Sequence, residues 1–207
     1  MTEAARTSAQ PAAKPPGLRE RMRAAVRAEV VEAAHRLFSE RGFDGTTVDQ
    51  IAAEVGVSRA TLFRYFGTKE DIVLGRLEDS GRLIAEELAG RPDDERPWEA
   101  LRRAFDVVMR MNAQHPDQAL GYLRMLNETP SLRARHFEKQ LHWQELMVPE
   151  IARRLGAGPD DARDPRPRAL VAAALACLDT AATGWVSCDG EVPLPVMLDR
   201  AMAALGA

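Results

Sequence analysis

Residues 47–71, TVDQIAAEVGVSRATLFRYFGTKED, contain three helix starts, each marked by side chains that satisfy free backbone N–H groups. So dense a run of caps admits only short helices and tight turns. Thr47 and Gln50 stand at capping-box spacing, hydroxyl and amide each accepting from the other's backbone. Ile51, Ala52 and Val55 then recur on one helical face. Gly56 permits the positive φ of a sharp turn, Val57 fills the angle behind it, and Ser58 caps the next helix. From Arg59 to Tyr65 that helix arranges Arg59, Ala60, Thr61, Arg64 and Tyr65 around a Leu62/Phe66 apolar stripe. Thr68 with Asp71 repeats the capping box and opens another helix. Two short helices joined by a glycine turn form a helix-turn-helix, and the second is basic and short-chained enough for a major groove.

The surrounding run, Arg36 to Val73, adds further features in order: Arg41-Gly42-Phe43 ending a helix, Thr46-Thr47, Ile51-Ala52, Gly56-Val57-Ser58, Thr61-Leu62, Tyr65-Phe66 and Lys69-Glu70. This ordered set resembles the DNA-binding domain of the TetR family of transcriptional regulators. Phe63 departs from the pattern: the family often has Tyr there, so the ring is kept and a hydroxyl is lost. The resemblance is close over the first third of the chain. It implies an N-terminal three-helix DNA-binding domain followed by a helical ligand-binding and dimerisation domain. It also implies that Thr47, Tyr65 and Lys69 clamp the DNA backbone, and that the last two helices of each subunit form a four-helix dimer bundle.

Composition supports an all-α chain. Ala, Leu, Arg and Glu dominate the 207 residues, and β-branched clusters are scarce. The net charge of −3 excludes a generally basic nucleic-acid coat. Residues 1–70 hold 11 Lys/Arg and 9 Asp/Glu, net +2, whereas residues 71–207 hold 17 and 22, net −5. That asymmetry fits a single DNA-contacting end. Cys177 and Cys188 have no CxxC spacing and read as reduced thiols. The start MTEAARTSAQ lacks an apolar signal core, and no apolar run reads as long enough to span a membrane, so a cytoplasmic location is expected.

About nine helices are expected. Residues 1–17, with Arg6 and Lys14, read as a disordered tail. The DNA-binding domain covers residues 18–67 and the effector-binding and dimerisation domain residues 68–207. The first helix, Leu18 to Arg41, has its apolar stripe at Met22, Val26, Val30, Ala33, Ala34, Leu37 and Phe38, and His35 falls on its polar side. Gly42 ends it and Phe43 folds back as the apolar partner of the cap. A helix over 68–89 links the domains, with Gly81 either bending it or admitting a close neighbour. Pro97 opens a helix that ends near His115-Pro116, and shorter and longer helices follow over 117–127 and 131–155. Pro149 predicts a kink or break in the latter. The 167–187 helix is apolar nearly all round, and together with 193–205 it carries more apolar surface than one domain needs.

The expected DNA-contacting set is therefore Thr47, Ser58, Arg59, Ala60, Thr61, Arg64, Tyr65 and Lys69. Arg59 can take a guanine bidentately or grip a phosphate, Thr61 can meet a thymine methyl or a phosphate oxygen, and Arg64 can serve either purpose. Phe63, Phe66 and Leu62 read as core. One short helix reads few base pairs, so a two-fold dimer with recognition helices roughly 34–36 Å apart on a palindrome is expected. An apolar effector cavity is expected from Phe105, Met109, Tyr122, Met125, Trp143 and Met147, with Asn112, Asn127 and His142 as polar pins. The resulting expectation is a homodimeric repressor released from double-stranded DNA by a small hydrophobic molecule, with no cofactor. An enzyme needs a nucleophile–base pair or metal cluster, and the four histidines show no paired-ligand spacing. The competing reading is a helical sensor or interaction module without DNA binding, which has no use for Arg59, Thr61, Tyr65 and Lys69.

Overall fold

The computed structural model describes residues 17–77, 79–158, 161 and 163–206. The expected tail, with Arg6 and Lys14, lies outside them apart from Gly17. Among the described residues there are eleven α-helices, one 3₁₀ turn and no strand.

Helix α1, Leu18–Gly45, is interrupted at Gly42, whose φ of 73° and ψ of 171° no other residue adopts readily. Phe43 returns onto Phe38 with ring centroids 5.7 Å apart, as its place in the cap requires. Three short helices follow: α2, Val48–Glu54; α3, Arg59–Tyr65; and α4, Lys69–Val73. None has the length to persist alone in water. They are held by their caps and by a shared core. In it Val30, Ala34, Leu37 and Phe38 of α1 meet Ile51, Ala52, Leu62, Phe66, Ile72, Val73 and Leu74. Met22 is 62 % exposed, so the α1 stripe starts at Val26 and the first turns project beyond the core.

The remaining helices are α5, Ser80–Ala89; α6, Pro97–Ala104; α7, Asp106–Gln114; α8, Pro116–Glu128; α9, Pro130–Arg154; α10, Arg166–Ser187; and α11, Leu194–Ala203. A second core gathers Ile84, Leu101, Phe105, Trp143, Met147, Ile151, Val171, Leu178, Leu198 and Met202 from α5, α6, α9, α10 and α11. Tyr122 and Leu126 of α8 and Leu132 of α9 cross over to join the first core, so the two bodies share a wall.

Three helices depart from their expected course. The 68–89 segment is not one helix: Leu74–Leu77 tightens into a 3₁₀ turn between α4 and α5. The reason lies at Gly75, where a Cβ would stand 2.5 Å from Val31 Cγ2. Close approach demands glycine there, and glycine is a poor helix former. Gly81 does not bend the chain; a Cβ on it would lie 2.1 Å from Trp143 Cδ1, so its bareness admits the indole of α9. The 97–115 helix is divided at Phe105, where a Val108 N–H to Phe105 O bond of 3.0 Å tightens the backbone. The third departure is α9, which passes Pro149 unbroken. Pro149 and Glu145 both face solvent, so the carbonyl deprived of its N–H partner is open to water.

Helix α10 is, contrary to expectation, long and apolar enough to cross a membrane by length and composition. Its apolar character is explained by packing: Val171, Ala174, Leu175, Leu178, Ala181 and Trp185 are buried against neighbouring helices. Cys177 and Cys188 are both free thiols.

Candidate nucleic-acid interface

The helix-turn-helix is built as its caps dictate. Thr47 Oγ1 accepts from Gln50 N at 3.2 Å while Gln50 Oε1 accepts from Thr47 N at 2.8 Å. Gly56 turns the chain at φ 68°, and Val57 N donates to Ala52 O at 2.9 Å. Ser58 Oγ accepts from Thr61 N at 3.1 Å and lies 2.9 Å from the Thr61 hydroxyl. Leu62 and Phe66 are buried and moor α3 from behind. Ser58, Arg59, Ala60 and Arg64 remain exposed, as does Thr47, while Thr61 and Tyr65 are half-buried.

Phe63 is not core: it is 39 % exposed. Position 63 stands one turn beyond 59, and the Arg59 guanidinium lies over its ring with Cζ 5.5 Å from the centroid. The same guanidinium donates through Nη1 to Asp49 Oδ2 at 2.9 Å. The contact escaped sequence reading because it joins α2 to α3 across the turn.

Behind the interface, two arginines of α1 support α3. Arg27 donates to the Tyr65 carbonyl at 2.6 Å and lies 4.5 Å over the Phe66 ring. Arg23 and Arg64 each stand 5.8 Å from the centre of the Tyr65 ring. Lys69 is half-buried, its Nζ donating to the Phe43 carbonyl and lying 3.9 Å over the Phe43 ring. Burial pulls the Lys69 pKa below its ordinary value, with Asp44 and Glu70 opposing the shift. The α4 cap is tied to the second body: Arg135 of α9 donates to Asp71 Oδ1 at 3.0 Å, and Thr68 Oγ1 donates to Asp71 Oδ2 at 3.0 Å. Burial pushes the Asp71 carboxyl up, but the bonds from Arg135 and Thr68 outweigh it and hold the pKa below the ordinary value.

The expected effector residues are dispersed. Phe105, Met109, Trp143 and Met147 are packed in the second core; Asn112 and Asn127 are half-buried; His142 is exposed. Tyr122 and Met125 instead line an open cleft of about 970 Å³ between the end of α1 and α8. His35, which reads as polar-face, rests there against Tyr122 with centroids 5.2 Å apart and the rings tilted by 49°, because α8 covers that side of α1. His136 is a further buried polar group that sequence reading did not single out. Its Nε2 lies 3.0 Å from Gln140 Nε2 and 3.9 Å from Asp179, and burial lowers its pKa.

Comparison with known proteins agrees with this geometry. The family model described as bacterial regulatory proteins, tetR family, matches residues 30–75, and the MftR C-terminal domain model matches residues 95–207. HTH-type transcriptional regulator TcmR of Streptomyces glaucescens is 33% identical over 163 residues, covering 76% of this chain and 71% of the relative. The putative mycofactocin biosynthesis transcriptional regulator MftR of Mycobacterium tuberculosis is 29% identical over 182 residues, covering 86% and 88%. Among solved structures, Thermus thermophilus FadR, a TetR-family repressor in complex with lauroyl-CoA, superposes with a TM-score of 0.57 at 26% identity, covering 86% of this chain and 92% of that one. A capped α2–α3 pair with its basic face outward, a helical body behind it, and matches running through both parts have one common meaning: the chain belongs to the TetR family of transcriptional regulators.

Proposed function

We propose that this chain is a homodimeric, cytoplasmic repressor that binds a palindromic operator and is released by a small hydrophobic molecule. The observation that carries the reading is α3. Leu62, with Phe66 at the C-cap, is sunk in the core while Arg59, Ala60 and Arg64 stand in solvent on a helix narrow enough for the major groove. In this reading Ser58, Arg59, Ala60, Thr61 and Arg64 face the bases, and Thr47, Tyr65 and Lys69 contact the backbone. Lys69 leaves Phe43 to do so. Residues 18–67 form the DNA-binding domain and residues 68–207 the effector and dimer domain, with Ile72 and Val73 of α4 packed in the core of the first. The chain acts by binding alone and carries out no chemistry.

Dimerisation through α10 and α11 is supported by what one subunit leaves open. Ala172, Ala176, Thr180 and Thr183 are exposed along one stripe of α10, small enough for a second helix to approach closely, and Val196 of α11 is also exposed. An effector cavity among Phe105, Met109, Asn112, Tyr122, Met125, Asn127, His142, Trp143 and Met147 requires these helices to part. Acyl-CoA complexes of FadR are consistent with a long apolar occupant. The ligand needs only differential affinity for two arrangements, about 1–3 kcal/mol of coupling.

The test is retardation of genomic fragments selected by the wild-type protein. Arg59→Ala is expected to relax sequence preference at one position of each half-site, and Lys69→Ala to weaken all duplexes alike while lowering the salt slope by about 1. Wild-type protein that shows no salt-sensitive, sequence-preferring binding would favour a sensor without DNA binding.

A further inference from the structure

Arg59 has two possible uses at a DNA surface, gripping a phosphate or reading a base, and its surroundings distinguish them. Its guanidinium is held between the Asp49 carboxylate, at 2.9 Å from Nη1, and the Phe63 ring, at 5.5 Å from Cζ. The Arg59 and Asp49 side chains are 60% and 63% exposed. So exposed a pair adds little to folding, since its attraction is screened by water and offset by the entropy of holding two side chains. Yet it costs something at an interface with DNA, because a carboxylate repels phosphates. A phosphate grip draws on net positive charge, and Asp49 cancels the charge of Arg59. Guanine readout draws instead on the orientation of two N–H donors toward O6 and N7. One of the five guanidinium N–H groups satisfies Asp49, which leaves four. Fixing the fork in advance reduces the side-chain entropy lost on binding.

We propose that Asp49 is a positioning residue for base readout: with Phe63 as a platform, it orients the Arg59 fork toward a single guanine in each half-site. This rests on the operator-binding reading above, and it commits Arg59 to a base and away from the phosphates. Asp49 lies on α2 and Arg59 on α3, so the pair also fixes the aim of the recognition helix relative to its support.

The experiment is selection from duplexes with a randomised segment of about 20 base pairs, enough for two half-sites one turn apart, using the full chain and its Asp49→Ala, Asp49→Asn and Arg59→Ala variants. The wild type is expected to enrich a half-site with an invariant guanine. Asp49→Ala is expected to lose preference at that one position by about ten-fold, matching the position lost in Arg59→Ala. Its affinity for random duplex is expected to stay equal or rise, because a negative charge is gone. Asp49→Asn, whose amide oxygen still accepts from Nη1, is expected to recover part of the preference. All variants should keep the wild-type helical circular dichroism. Preference eroded evenly across the half-site, a lost position that differs between the Asp49 and Arg59 variants, or a parallel fall in affinity for random duplex would each overturn the positioning role. A wild type that enriches no sequence overturns the operator reading and this inference with it.

Discussion

Gly42 holds φ 73° and ψ 171°, a region of backbone space open almost solely to glycine. No neighbouring atom lies within 4 Å of a Cβ built there, so the cost of any side chain is conformational and not steric. Gly42→Ala is therefore expected to destabilise the fold by about 1–3 kcal/mol, read from the urea midpoint with the denaturant slope unchanged. Phe43 and Thr46 hang on this residue: Thr46 Oγ1 donates to Gly42 O at 2.9 Å, and the Phe43 carbonyl receives Lys69. Loss of stability should thus be accompanied by weaker DNA binding, since the turn leads straight into the Thr47 cap of α2.

At the scale of elements, α4 is where the two bodies meet. Asp71 is drawn on by Thr68 within its own cap and by Arg135 from α9. With the folded pKa depressed, the stabilisation is present above the ordinary carboxylate value of 3.8 and is lost as pH falls through the folded value. Asp71→Asn is expected to lower stability near neutrality by about 1 kcal/mol or less. The gap from wild type should close in acid, as followed by urea midpoints across pH. These caps were legible from residue order alone, because Thr47 with Gln50, Ser58, and Thr68 with Asp71 act within four residues of chain. What escaped was set by contacts distant in sequence. The 3₁₀ turn follows from Gly75 meeting Val31, the covering of His35 from α8 lying over α1, and the aim of Arg59 from Asp49 on the preceding helix. The effector residues were recognisable as apolar and helical, but nothing in their periodicity separates a filled core from a cavity wall.

For the whole molecule, the proposed dimer lays a second subunit over the exposed stripe of α10. Ala176→Arg places a long charged chain in the middle of that stripe. It is expected to yield a folded monomer in sedimentation, with operator affinity reduced because one α3 spans too few base pairs. A variant that still sediments as a dimer would move the interface elsewhere. Gly81 has a consequence of the same reach. Because the Trp143 indole occupies the space a side chain at 81 would fill, α5 and α9 touch like gear teeth cut without backlash. A molecule that wedges Trp143 aside has no slack to take up first, so its first ångström of travel is already felt by the helix that leads back to the DNA.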